Sequence, residues 1–266
     1  MSTPAEAALR PPSRPELEAV FRMRHGDPAS SGRSPRLRWR HGYFTPDEHY
    51  EALVGRLVTR GTHWLDVGCG RELFPSNRAL ARELSARAEE LVGLDPDPTL
   101  EENPYVHRKV RSAVEDFDGG GRFDLVTLRM VAEHVAEPER TVAALARAAR
   151  PGGRVVVFTV NARSPVPLLT RLVPFRLRHP IKRFLWRTEA KDTFPTRFRM
   201  NTRARLRELF AAQRCREAWF VHLDDCRTFA RFPPVLAFDL WFWRALRALR
   251  LHHPETCLLG VYERIA

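Results

Sequence analysis

The chain is 266 residues long and 44% hydrophobic, enough to bury one substantial core with a small appended subdomain. It has no apolar run of about eighteen residues, which excludes a membrane-spanning helix, and its four scattered cysteines form no Cys-x-x-Cys pair of a zinc site or disulfide framework. The net charge of +12 is uneven: from Asn161 to Arg216 there are fifteen Lys/Arg against three acids (Glu189, Asp192, Glu208), a field suited to anionic substrates, acidic membrane or nucleic acid.

Residues 1–14 are rich in Pro, Ala and Arg, carry no secretory signal, and are expected to form a disordered tail. Residues 15–61 read as a helical cap in which Thr45 caps a helix starting near Pro46. "HWLDVG" is a strand, followed by the helix "PSNRALARELSARAEEL", which Ser76 is placed to cap. "LVGLD" is a second strand, "VHRKVRSAV" holds a weak third, and "FDLVTLRM" is a fourth. The helix "PERTVAALARAAR" is closed by Pro151-Gly152-Gly153, and "RVVVFTV" is a fifth, almost wholly apolar strand. Short apolar strands alternating with amphipathic helices imply an α/β fold of parallel strands with right-handed crossovers.

After Val160 the alternation breaks, and residues 161–200 form a basic, aromatic insert on the substrate side of the domain spanning 62–266. "NTRARLRELFAAQ" restores a capped helix, "CREAWFVHL" a strand, and 224–255 a helical insert. "CLLGVYERI" is a last strand placed to pair antiparallel with its predecessor at the sheet edge.

Strand one runs into "LDVGCGRELFP". In an open parallel sheet, ligands bind at the carboxyl ends of the strands. Gly68 and Gly70 let a backbone approach a ligand there. A dinucleotide fingerprint needs a third glycine opening a helix, but Leu73 stands three residues after Gly70 and Pro75 interrupts. Asp66 would repel phosphate yet accept from an ammonium. Asp95, ending strand two in "LVGLDPDP", suits both hydroxyls of a ribose.

With these residues in place, the sequence resembles the class I S-adenosylmethionine-dependent methyltransferases. The matching blocks are "LDVGCG", "LVGLDPDP", "FDLVTLRMVAEHV" and "ARPGGRVVVFTVN", in the family's order over about residues 62–161. The resemblance implies a single Rossmann-like, doubly wound seven-stranded sheet, mostly parallel with an antiparallel last strand, and S-adenosylmethionine as cofactor. It implies that Asp66, Gly68, Cys69 and Gly70 surround the methionine moiety, that Asp95 takes the ribose, and that Pro96 and Asp97 pack near adenine. Val114 and Glu115 would contact adenine, and Leu128 and Arg129 would end the strand whose carbonyl meets the ammonium. Arg71 or no residue at all holds the cofactor carboxylate, and Glu72 departs from the pattern.

Glu133 and His134 follow strand four where substrate would sit, and His134 is either a general base or an orienting residue. Tyr43 and Phe44 are either a lid over the cofactor or core packing. Arg197 and Arg199 either neutralise an acidic substrate or form a solvated face. No metal is expected. A small-molecule acceptor methylated on oxygen is expected, acidic or lipid-like, in the cytoplasm. Nucleic acid is disfavoured because strand four lacks the Asn/Asp-Pro-Pro-aromatic run, although the basic segment keeps an RNA methyltransferase as the alternative. "VPLLTRLVPFRLRHPIKRFLW" and "LAFDLWFWRALRALRL" mix Trp, Phe and Leu with Arg, so peripheral membrane contact, or a non-catalytic membrane-surface module, is a further reading.

Overall fold

The computed structural model describes residues 9–165, 196–227 and 232–265. Three helices open it: α1 (Arg14–His25), α2 (Arg33–His41) and α3 (Pro46–Leu57). Thr45 caps α3 with a reciprocal Glu48 contact, as the Thr-Pro start predicts. Of the expected tail, residues 1–8 lie outside the described residues, but 9–14 belong to the fold. Leu9 packs on the core, Arg10 pairs with Glu16, and Ser13 caps α1.

The sheet is built from β1 (His63–Val67), β2 (Glu90–Leu94), β3 (Arg108–Val110), β4 (Phe123–Arg129), β5 (Ala149–Val160), β6 (Cys215–Asp224) and β7 (Glu255–Arg264). Their order is β3-β2-β1-β4-β5-β7-β6, so β7 inserts between β5 and β6 and runs antiparallel to both. The expected antiparallel pair is therefore present, with β6 as the edge. The crossovers are α4 (Arg78–Arg87), α5 (Pro138–Ala148) and α6 (Arg203–Ala212), while α7 (Pro233–Ala248) joins β6 to β7.

Both faces of the sheet are covered, which is why its strands read as nearly unbroken apolar runs. Along β5, Val155 and Val157 pack with α5 and α6, while Val156 and Phe158 pack with α3 and α4. Two local expectations are corrected. Asn77, not Ser76, caps α4, its Oδ1 accepting from the Leu80 amide at 3.2 Å. Pro151-Gly152-Gly153 does not stand outside β5 but bulges within it: Phe123 pairs with Ala149 and Leu125 with Arg154, with Gly152 at φ +75° taking the slack.

Gly68 closes β1 at φ +70°, and a Cβ there would stand 2.2 Å from Val131 Cγ2. Gly68→Ala therefore combines a left-handed backbone with a clash against the segment after β4. It should cost about 2–4 kcal/mol and lower the melting temperature by roughly 10 °C. Adding Val131→Ala should restore part of that loss, because it removes the steric half only. A thermal melt of the single and double variants checks both statements.

Candidate functional site

Three strand ends and one turn bring the predicted cofactor residues together. β1 pairs with β2 and β4 in parallel, aligning Asp66 with Gly93 and Thr127, and Val67 with Leu94 and Leu128. Gly68, Gly70 and Asp95 sit half-buried at this edge. Gly70 lies at φ +48°, and nothing stands within 4 Å of where its Cβ would be, so the turn faces open space.

Asp95 is held by the turn it serves. Its Oδ2 accepts from the Gly70 amide at 2.9 Å and its Oδ1 from the Asp97 amide at 2.8 Å. Each oxygen thus has one backbone donor and keeps lone-pair capacity for another. Asn103, whose Nδ2 donates to the Gly70 carbonyl at 3.0 Å, fixes the turn from the other side. Pro96 is exposed beside it, and Asp97 caps a 3-10 turn through the Thr99 amide.

Asp66 lies deeper. Its carboxyl accepts from Thr127 Oγ1 at 2.5 Å, and the Trp64 indole donates to that hydroxyl at 2.7 Å. Burial pushes Asp66 up to about 7; the Thr127 bond and Arg129 oppose this, and Asp95 adds to it. A buried acid whose hydrogen bond comes from a neutral hydroxyl calls for a cation, and the ammonium end of the expected cofactor would supply one. Binding should then draw Asp66 into its charged form and release a proton. Affinity should rise with pH from about 6 to about 7 and level off by about 8. In the ligand-free protein the sign is opposite. The raised pKa favours folding below the unfolded value of about 4, and that stability is lost as pH rises through about 7. Calorimetry in buffers of different ionisation heat, wild type against Asp66→Asn, measures the released proton. The variant is needed because burial also raises Glu51 to about 7.

Cys69 is buried with its sulfur against Gly93, and burial, with Asp66 and Asp95 adding, pushes its thiol up, so it is a packing residue of the turn. Val114, itself buried, opens a 3-10 turn after β3, and Glu115 accepts from Thr141 of α5. Leu128 is fully buried, and Arg129 ends β4 with Nη2 on Asp47 Oδ1 at 2.6 Å. The Arg71-Glu72 pair is accounted for within the fold: Glu72 holds Arg78 at 2.6 Å, and Arg71 lies 3.7 Å from Glu102.

On the substrate side, Glu133 is buried. Its carboxylate accepts from Thr159 at 2.7 Å and its carbonyl from the Arg197 amide at 2.7 Å, so it anchors the chain returning to α6. His134 beside it is half-buried. Arg197 is exposed, and the exposed Arg199 donates to the Ala136 carbonyl at 2.7 Å. Tyr43 follows the core-packing alternative: it is 2% exposed and T-stacked on Trp243. Its hydroxyl donates to the Asp224 carbonyl and accepts from the Cys226 amide, both at 2.9 Å. Phe44 packs with Phe21 and Trp39. Of the basic insert, residues 166–195 lie outside the described residues, including the first of the two Trp- and Arg-rich stretches.

What the sequence reading missed is the fastening of α3 over the site. Asp47, on its first turn, is buried between Arg129 of β4 and Arg227 after β6. Burial pushes its carboxyl up, but Arg227 and Arg129, with Arg24, outweigh this and hold it well below the usual carboxylate range. Glu48 takes Arg38 at 3.0 and 2.8 Å, and Glu51 takes Arg24 at 2.9 Å and Asn77 at 2.8 Å. The available signal was three acids at i, i+1 and i+4 opening one helix, which also reads as ordinary cap charge. One group among the described residues has metal-capable chemistry, Cys226, Asp239 and His253, with ligand atoms within 4.8 Å of one another. There His253 Nε2 pairs with Asp239 of α7 at 3.1 Å.

Comparison with known proteins agrees with this geometry. A family model described as a methyltransferase domain matches residues 38–213. A ubiquinone biosynthesis O-methyltransferase of Xanthomonas axonopodis pv. citri is 35% identical over 128 residues, 46% of this chain and 53% of that protein. The chain thus spans about half the length of the curated relatives it matches. Two solved structures share the fold. One is a chain from the complex of the Haloferax volcanii Trm112 methyltransferase activator with a methyltransferase (17% identity, TM-score 0.53, 95% of this chain and 97% of that one). The other is geranyl diphosphate methyltransferase with its substrate and sinefungin (14% identity, TM-score 0.51, 81% and 78%).

Proposed function

We propose that the chain, which belongs to the methyltransferase-domain family, is an S-adenosylmethionine-dependent enzyme that methylates a hydroxyl oxygen of a small, lipid-like acceptor. The observation that carries the oxygen is the 35% identity, over the matched half, to relatives named for oxygen methylation in the synthesis of a lipid-soluble quinone. In this reading Asp95 holds the ribose, Asp66 the ammonium, and the Gly68–Gly70 turn the methionine backbone. The cofactor supplies an electrophilic methyl on a positively charged sulfur. The protein's part is to place the acceptor oxygen in line and keep water away. His134, half-buried just after β4, takes the hydroxyl proton, whereas Glu133 beside it is committed to Thr159.

The test is incubation with methyl-labelled cofactor and a panel of phenols of increasing chain length, alongside cellular lipid and RNA fractions. Label bound through oxygen in a lipid-soluble product is expected. Label on nitrogen, carbon or RNA would overturn the acceptor. His134→Ala should lower kcat about 100-fold with KM and cofactor affinity kept. Full turnover by that variant would leave His134 an orienting role only.

A further inference from the structure

Helix α7 carries two apolar faces where a surface helix needs one. Leu236, Leu240 and Trp243 of α7 are buried against Tyr43 and Cys226. On the opposite side, Val235, Phe238, Trp241 and Phe242 are 43%, 63%, 58% and 41% exposed, and Leu249 and Leu251 just beyond are 69% and 55% exposed. These six are most of the eight exposed large hydrophobic residues among the described ones, so the chain gathers its outward apolar surface at one place. Phe238 and Phe242 stack 6.3 Å apart, with Trp241 5.9 Å from Phe238, forming one continuous stripe at helical spacing.

Charge around the stripe has one sign. The exposed Arg244 and Arg250 follow at its C-terminal end, Arg247 stacks 5.1 Å over the inward Trp243, and the single acid of α7, Asp239, is turned inward to His253. Beside the arginines, a cavity of about 590 Å³ is lined by Arg247, Arg250, His49, His222 and His252, together with Asp224 and Glu255. Its two acids are engaged: Asp224 accepts from the Trp243 indole at 2.8 Å, and Glu255 lies 3.4 Å from His252 and 3.9 Å from His222.

Topology decides what this surface would face. β6 runs parallel to β1, β2 and β4, and α7 leaves its carboxyl end to enter β7 at the same edge, so α7 lies on the edge that holds Gly68, Asp95 and Arg129. No helix among the described residues is long and apolar enough to cross a membrane. We propose that α7 and its C-terminal turn dock on an anionic bilayer surface, with the aromatic stripe at the acyl boundary and Arg244 and Arg250 among the headgroups. A second copy of the chain fits less well, since the same cationic cluster would flank both halves of such an interface. The proposal rests on the lipid-like acceptor only for its purpose: docking brings the cofactor edge to where that acceptor dissolves.

Flotation of the full chain with vesicles of phosphatidylcholine mixed with phosphatidylglycerol tests it. Wild type should float with the mixed vesicles, less on phosphatidylcholine alone, and less as salt is raised. Phe238→Glu/Trp241→Glu should bind at least about tenfold more weakly, with melting temperature and cofactor affinity unchanged. Wild type that stays unbound, or a double variant that floats like wild type, overturns the proposal. So does a wild-type dimer in sedimentation that the double variant abolishes without any vesicle binding. The acceptor reading fails separately: vesicle binding that persists while no lipid-soluble phenol is methylated leaves docking standing.

Discussion

Asp95→Ala should weaken S-adenosylmethionine binding about 100- to 1000-fold in a calorimetric titration. The carboxylate is the one group predicted to receive both ribose hydroxyls, and bonds to a charged acceptor contribute about 1.5–3 kcal/mol each. The substitution also releases the Gly70 amide, which Asp95 holds at 2.9 Å, so the turn loses the partner that shapes it. Asp95→Asn, keeping one carbonyl oxygen, should fall between the two. Because Asp95 is half-buried at an open edge, the ligand-free melting temperature should move little. Unchanged affinity in Asp95→Ala would remove the basis for the ribose assignment.

Asp47→Ala should destabilise the folded protein by about 3–5 kcal/mol, a fall on the order of 10 °C in melting temperature. Asp47 is 3% exposed and pairs with two arginines from distant parts of the chain, Arg129 at 2.6 Å and Arg227. Removing it leaves the Arg129 guanidinium without its carboxylate, while Arg227 keeps only its bridge to Asp225 at 2.7 Å, and stranding a largely buried charge costs more than the pair itself contributes. Pairing the change with Arg129→Met should recover part of the loss, because one unpaired charge is then gone. The pH dependence has a definite sign. A carboxyl held below its unfolded value contributes stability above about pH 4, lost only as pH falls through its lowered folded value. Wild type and Asp47→Ala should therefore differ most near neutral pH and converge in strong acid. Equal melting temperatures at neutral pH would show that α3 does not depend on Asp47, its apolar face through Tyr50, Leu53 and Val54 and the Glu48 and Glu51 bridges being enough to hold it.

The sheet and the glycine turn at its edge were legible because their signals are local. Parallel strands buried on both faces must be apolar throughout, and a turn that meets a ligand with its backbone must be glycine where φ is positive, as at Gly68 and Gly70. Two carboxylates, Asp66 and Asp95, at the ends of adjacent strands completed the pattern. What was hidden depends on partners far apart in sequence. Asp47 looks like any acid in a first helical turn until Arg129 and Arg227 converge on it. Tyr43 looks like a lid until its hydroxyl meets Asp224 and Cys226 across 181 and 183 positions. The Ser76–Asn77 error was smaller: both residues cap helices well, and only backbone geometry chose between them.

The place of β7 has a consequence for how the chain reaches this state. It follows β6 in sequence yet lies between β5 and β6 in space. During synthesis β1 to β5 can assemble as their residues emerge, but β6 has no neighbour to join until β7 has been made. For that interval β6 and α7 wait with Trp219, Phe220, Leu236, Leu240 and Trp243 unpartnered. Delayed long-range pairing of this kind slows folding and leaves sticky intermediates. Synthesis rate and chaperone supply should therefore govern the yield of this protein more through residues 215–264 than through the strands β1 to β5 that precede them.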